Sequence, residues 1–95
     1  MRLEGELDLA TVARFRAELE AIEQRRPPLL VIDLRTLRFM DSTGLGELVA
    51  ATQRARTQAR RLVLITGSAP IDHLVTISGA TRALETTDDP ATLGA

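Results

Sequence analysis

Two hydrophobic periods alternate along this chain, and their order lays out the elements. Arg2 to Leu7 alternates polar and apolar positions, with Leu3 and Leu7 on one side, which predicts a short strand interrupted by Gly5. Asp8 follows and is placed to cap a helix; Val12, Phe15, Leu19 and Ile22 then recur every three or four residues, as a helix running to about Gln24 requires. Arg25–Arg26–Pro27–Pro28 stops it, because proline cannot continue a helix. Leu29 to Asp33 is a near-continuous apolar run, the pattern of a strand covered on both faces. Leu45, Leu48, Val49 and Thr52 return to helical spacing, predicting a helix from Ser42 to about Arg60.

The second half repeats the alternation. Arg61 to Thr66, with Leu62, Val63, Leu64 and Ile65, predicts another doubly buried strand. Gly67–Ser68–Ala69–Pro70 reads as a turn in which Ser68 caps a helix and Pro70 sits in its first turn. Ile71, Leu74, Val75 and Ile77 form the apolar stripe of that short helix, and Gly79 stops it. Leu84 to Thr86 predicts a weak edge strand, with Asp89–Pro90 opening a last turn or a frayed tail. The expected fold is therefore α/β, one domain over residues 1–95 with a mostly parallel sheet and right-handed crossovers. Functional loops of such sheets gather beyond the carboxyl ends of the strands, where Asp8 and the Asp41–Ser42 turn both fall.

Composition narrows the function classes. An apolar fraction of 44% supports a packed core, yet there are only two Phe and no Trp or Tyr, so stacking on nucleobases is not expected. The net charge of −1, with both signs interspersed, gives no polyanion-binding face. The first helix carries Arg14, Glu18, Arg16 and Glu20 as i,i+4 pairs on a solvated surface. Absence of cysteine excludes disulfides, thiolate metal sites and Cys nucleophiles. With no apolar run long enough to span a membrane and no leader-like start, the expectation is a soluble cytoplasmic domain.

Chemistry concentrates in Phe39–Met40–Asp41–Ser42–Thr43–Gly44–Leu45–Gly46, where a strand hands over to a helix. Asp and Ser cap such an end because their oxygens accept from unpaired backbone N–H groups, and the glycines permit tight geometry and close approach. Ser42 is thus expected to be exposed at the positive end of a helix dipole. A hydrolase elbow is not met, since Met40 stands where G-x-S-x-G needs glycine, and His73 lies far along the chain. The phosphate-loop lysine is missing too. Asp8, Asp33 and Asp41 are the acids that can converge on a hard cation, but two of them are explained as caps, so no metal or cofactor is expected. Plain capping accounts for the local pattern. The alternative is modification: a phosphate on Ser42 adds about −1.5 to −2 charges at a helix end that accepts them, while a partner docked there meets a new desolvated charge beside Asp41. Such a switch spares the fold and spoils a complex.

Taken together, Gly5–Glu6–Leu7–Asp8, Val31–Ile32–Asp33–Leu34, the central octapeptide and Ile77–Ser78–Gly79 resemble the STAS domain of bacterial anti-sigma factor antagonists over nearly the whole chain. The resemblance implies a non-enzyme whose unmodified form binds an anti-sigma factor that is also an ATP-dependent serine kinase, releasing the sigma factor. It implies Ser42 as the phosphoacceptor, reset by a PP2C-type phosphatase, with Asp8, Asp41, Thr43, Gly44, Leu45 and Gly46 on the partner-binding surface. A STAS module that binds without phosphorylation, such as an accessory subunit of a lipid or anion transport system, is the alternative; the serine at the acceptor position favours the switch. Two departures stand out. Family members usually carry another strand before Gly5–Asp8, for which this sequence has hardly any room: either the start is assigned late, or the protein is truncated, or Arg2–Leu7 is a naked edge in a monomer or a weak homodimer paired through it. Ala80 replaces a larger apolar residue.

Overall fold

A computed structural model describes residues 1–93. Four parallel strands, β1 (Arg2–Leu7), β2 (Leu29–Met40), β3 (Arg61–Ile65) and β4 (Thr86–Thr87), lie in the order β1-β2-β3-β4. Helices α1 (Val12–Glu23), α2 (Ser42–Thr57) and α3 (Ala69–Ile77) connect them in sequence, and 3₁₀ turns follow at Ala80–Arg82 and Pro90–Leu93. Aliphatic side chains form one buried cluster. Leu3 and Leu7 of β1, Leu30, Ile32 and Leu34 of β2, and Leu62 and Leu64 of β3 meet Phe15 and Leu19 of α1, Leu45 and Leu48 of α2, and Ile71 and Val75 of α3.

β2 departs most from expectation. It runs twelve residues, well past Asp33, and delivers the chain directly to Asp41. Its pairing with β1 explains why the pattern hides this. Arg2 and Glu4 lie opposite Asp33 and Thr36, and Gly5 and Glu6 opposite Leu37 and Phe39, so β2 carries one extra residue at each of two places. Each extra residue resets which side chain faces inward. Leu34, Leu37 and Met40 all enter the core at intervals of three, a spacing that sequence pattern alone assigns to a helix. The earlier part of β2 is also not doubly covered: Leu30 and Ile32 are buried, whereas Leu29 and Val31 are only half-buried. β3 does match, with all of Leu62 to Ile65 buried.

Smaller corrections have local causes. Helix α1 starts at Val12 with Thr11 at its N-cap, later than a cap at Asp8 implies, because Asp8 organises a preceding turn. Arg14 does pair with Glu18 at 3.3 Å, but Arg16 turns from Glu20 to Glu47 on α2 (Nε–Oε1 3.0 Å), tying the two helices together. Ser68 occupies the N-cap of α3 without a side-chain cap bond; instead Asp72 Oδ1 accepts from Gly67 N–H at 3.3 Å. Ile77 leaves the apolar stripe and is 65% exposed. Gly79 ends this region in the left-handed conformation (φ 77°), which only glycine adopts freely. Ala80 is partly buried against the core.

Candidate functional site

The site is built where β1 and β2 end together. Leu7 lies opposite Met40, and Asp41 N–H donates to Leu7 O at 3.2 Å, which sets the next residue, Ser42, at the start of α2. Asp41 has an extended backbone (φ −101°, ψ −176°), the usual geometry of an N-cap. Its carboxylate does two things. Oδ1 accepts from Gly44 N–H at 3.0 Å, satisfying one free donor of the first helical turn, and Oδ2 accepts from Leu9 N–H at 3.2 Å. One side chain therefore fixes both the helix start and the loop after β1.

That loop is held from its other end by Asp8 and Thr11. Asp8 Oδ1 accepts from the N–H groups of Ala10 and Thr11 at 3.0 and 3.1 Å, while Thr11 Oγ1 donates to Glu6 O at 2.9 Å. Asp8 and Asp41 are thus neighbours through Leu9, each spent on backbone donors. Asp33 lies elsewhere. Its carboxylate accepts from Arg35 Nε and Nη2 at 3.0 and 2.8 Å and from Arg35 N–H at 3.0 Å. The three acids do not converge, and among the described residues no group of three or more His, Asp or Glu side chains is placed to hold a metal ion.

Asp33 has a consequence for acid stability. Side-chain hydrogen bonding from Arg35 holds its carboxyl at about 2, below the ordinary 3.8, against the opposing effect of burial. Because the folded value is the lower one, the contribution is complete above pH 3.8 and is lost as pH falls through about 2. An Asp33→Asn variant is expected to show a flatter loss of stability across that window, measured by denaturant unfolding at several pH values. An unchanged acid limb would remove Asp33 from the account.

The two glycines differ. A Cβ built on Gly44 falls 2.5 Å from Leu7 O and 2.8 Å from Leu7 Cγ, so the first turn of α2 rests directly on the end of β1. At Gly46 a Cβ meets nothing within 4 Å. Gly46 therefore serves no packing need inside the domain, although glycine within a helix costs about 0.5–1 kcal/mol relative to alanine. Gly46→Ala is expected to raise stability by about that amount in a chemical melt, and a loss would contradict the open space seen here.

Ser42 and Gly46 are exposed, Asp8, Asp41 and Thr43 are half-buried, and Gly44 and Leu45 are buried. Leu45 and Gly44 therefore support the surface from beneath and do not form its outer face. Two large apolar residues of the adjoining segments are exposed: Phe39, which opens the octapeptide, at 50%, and Leu9, which the pattern did not single out, at 74%. Leu9 reaches the site through a hydrogen bond spanning 32 positions, which no local spacing announces. His73 is exposed on α3, a different helix from the one that Ser42 begins.

A family model described as the STAS domain matches residues 1–92. The anti-sigma F factor antagonist of Paenibacillus polymyxa is 30% identical over 90 residues, covering 94% of this chain and 77% of that protein. The anti-sigma-B factor antagonist of Listeria monocytogenes is 35% identical over 81 residues, covering 85% and 71%. Among solved structures, the anti-sigma factor antagonist SpoIIAA in its unphosphorylated form superposes with a TM-score of 0.69 at 28% identity, over 93% of this chain and 76% of that one. Its phosphorylated form, from Bacillus, gives 0.69 at 27% identity, over 97% and 84%.

Proposed function

The chain belongs to the STAS domain family, and from that premise we propose that it works as a partner-switching regulator controlled at Ser42. The domain is an anti-sigma factor antagonist: it binds an anti-sigma factor and thereby frees a sigma factor. The reading of Ser42 as the switch is carried by one observation, an exposed hydroxyl at the first position of α2 beside a cap that leaves it unburdened. Asp41 binds Gly44 and Leu9, so the turn keeps its shape without the serine side chain.

In this reading the anti-sigma factor is also the kinase. The Ser42 hydroxyl oxygen attacks the γ-phosphoryl group of ATP, its proton is lost, ADP leaves, and the protein carries a phosphate monoester. The Ser42 and Thr43 N–H groups at the positive end of α2 suit the new dianion. The partner surface, comprising Asp8, Asp41, Ser42, Thr43 and Gly46 over the supporting Gly44 and Leu45, then presents added negative charge next to Asp41. A complex that had excluded water there is released. A PP2C-type phosphatase restores the binding form, in the cytoplasm.

Incubation with the cognate anti-sigma kinase and ATP should add one phosphate, found on Ser42 by peptide mass analysis. Ser42→Ala should bind the same partner and accept no phosphate. Phosphate arriving at another residue would overturn the assignment, and binding with no phosphate at all would favour a STAS module that works without modification.

A further inference from the structure

The loop after β1 is knit by carboxylates. Leu9 N–H donates to Asp41 Oδ2 at 3.2 Å, and the N–H groups of Ala10 and Thr11 donate to Asp8 Oδ1 at 3.0 and 3.1 Å. The backbone is held in place, yet the side chain it carries at Leu9 is 74% exposed. Phe39 stands on the other segment that reaches Asp41. Met40 turns into the core at 5% exposure, and strand alternation sends its two neighbours, Phe39 and Asp41, to the opposite side. Asp41 is itself extended, so the alternation carries through it. Leu9 and Phe39 therefore flank one carboxylate, the first through a hydrogen bond and the second from two positions earlier in the chain.

Single apolar side chains on a surface need no explanation; their grouping here does. Three large apolar side chains are exposed among the described residues, and only Ile77, at the end of α3, belongs to neither segment that Asp41 joins. Leu9 and Phe39 are absent from the buried cluster and from the residues packed against it. Both lie well inside the chain, away from its two ends. One turn along α2 from Ser42, Gly46 adds a patch of bare helix with open space above it.

We propose that Leu9 and Phe39 are the apolar anchors with which this surface seats on the anti-sigma factor, and that the anti-sigma factor offers an apolar socket to receive them. The occupant follows from continuity with the partner surface proposed around Ser42, on which this assignment rests: both side chains border Asp41, and the relatives are antagonists of anti-sigma factors. Leu9 is presented on a backbone already fixed by three hydrogen bonds to carboxylates, so docking it orders little that is not ordered beforehand. Seating the two side chains expels water from the rim of Ser42. A phosphate there keeps its hydration and opposes that drying, so apolar burial and modification compete for one surface.

Calorimetric titration of the anti-sigma factor at several temperatures tests this. The wild type is expected to bind with a negative heat-capacity change, the mark of apolar burial. Leu9→Ala and Phe39→Ala should each weaken binding by on the order of tenfold and make that change smaller in magnitude. Leu9 carries the decision, because its side chain is no part of the core and its truncation should leave the melting temperature unchanged. Leu9→Met, apolar and of similar size, should bind as the wild type does, whereas Leu9→Asn, similar in size but polar, should bind as weakly as Leu9→Ala. If Leu9→Ala and Leu9→Asn bind as tightly as the wild type while phosphate on Ser42 still releases the partner, the anchors are overturned and the switch stands. A wild-type chain that binds no anti-sigma factor overturns the partner reading and the anchors with it.

Discussion

Phosphorylation of Ser42 is expected to leave the melting temperature of the domain nearly unchanged while weakening its anti-sigma complex about a hundredfold. The two readouts separate because they depend on opposite neighbours. Within the domain, the new charge sits at the N-terminus of α2, where a helix dipole contributes about 0.3–1 kcal/mol toward an anion, against repulsion from the nearby Asp41 carboxylate. Asp41 is already committed to Gly44 and Leu9, so neither of its hydrogen bonds has to break. In the proposed complex, the same charge would be covered with Asp41 by the partner, and like charges brought together at an interface cost several kcal/mol. Ser42→Asp, with one charge and a shorter reach, should show a smaller loss in the same direction, and Ser42→Ala almost none. Calorimetric titration beside thermal melts of each form checks this. If stability and affinity fall together, the phosphate is disrupting the fold and the switch is not the interface.

The largest effect on stability is expected at Gly44. Its alanine variant should be about 3 kcal/mol less stable, which for a domain this size is on the order of 15 °C in melting temperature. Of the two nearest obstacles, one is a backbone carbonyl, Leu7 O at 2.5 Å, which cannot rotate aside as a long side chain can. Making room means lifting the first turn of α2 off β1, and that strains the Asp41 N–H bond to Leu7 O and the Asp41 link to Leu9. Gly46→Ala, two positions away with open space around it, is the control that removes a general effect of alanine in this helix. A Gly44→Ala protein that melts with the wild type would mean that the helix and β1 are not in firm contact.

How much of this could be read from the chain depends on how local each feature is. The start of α2 was legible because Asp41 and Ser42 are cap residues followed by helical spacing, and the doubly buried β3 because Leu62 to Ile65 leaves no polar position. The second half of β2 was not legible. Its two extra residues give Leu34, Leu37 and Met40 a three-residue interval, which erases the alternation that identifies a strand. Ile77 misled in the other direction, since an apolar residue at the end of a short helix need not face the core. At the site, Asp41 was recognisable as the cap of α2 from type and position, whereas Asp8 holds the turn before α1 and leaves the cap to Thr11. Leu9 was not recognisable, because its link to Asp41 is created only when β1 and β2 finish side by side.

Those two extra residues also make Asp33 to Phe39 a measured spacer. Opposite the span from Arg2 to Glu6 they take up two more positions than simple pairing would, and so bring Asp41 level with the loop beyond Leu7. Take one residue out of that span, with both irregularities kept, and the cap falls opposite Leu7, one position short of the loop and on the other side of the pleat. Length here is as tightly specified as any side chain, so this stretch should accept substitutions far more readily than deletions.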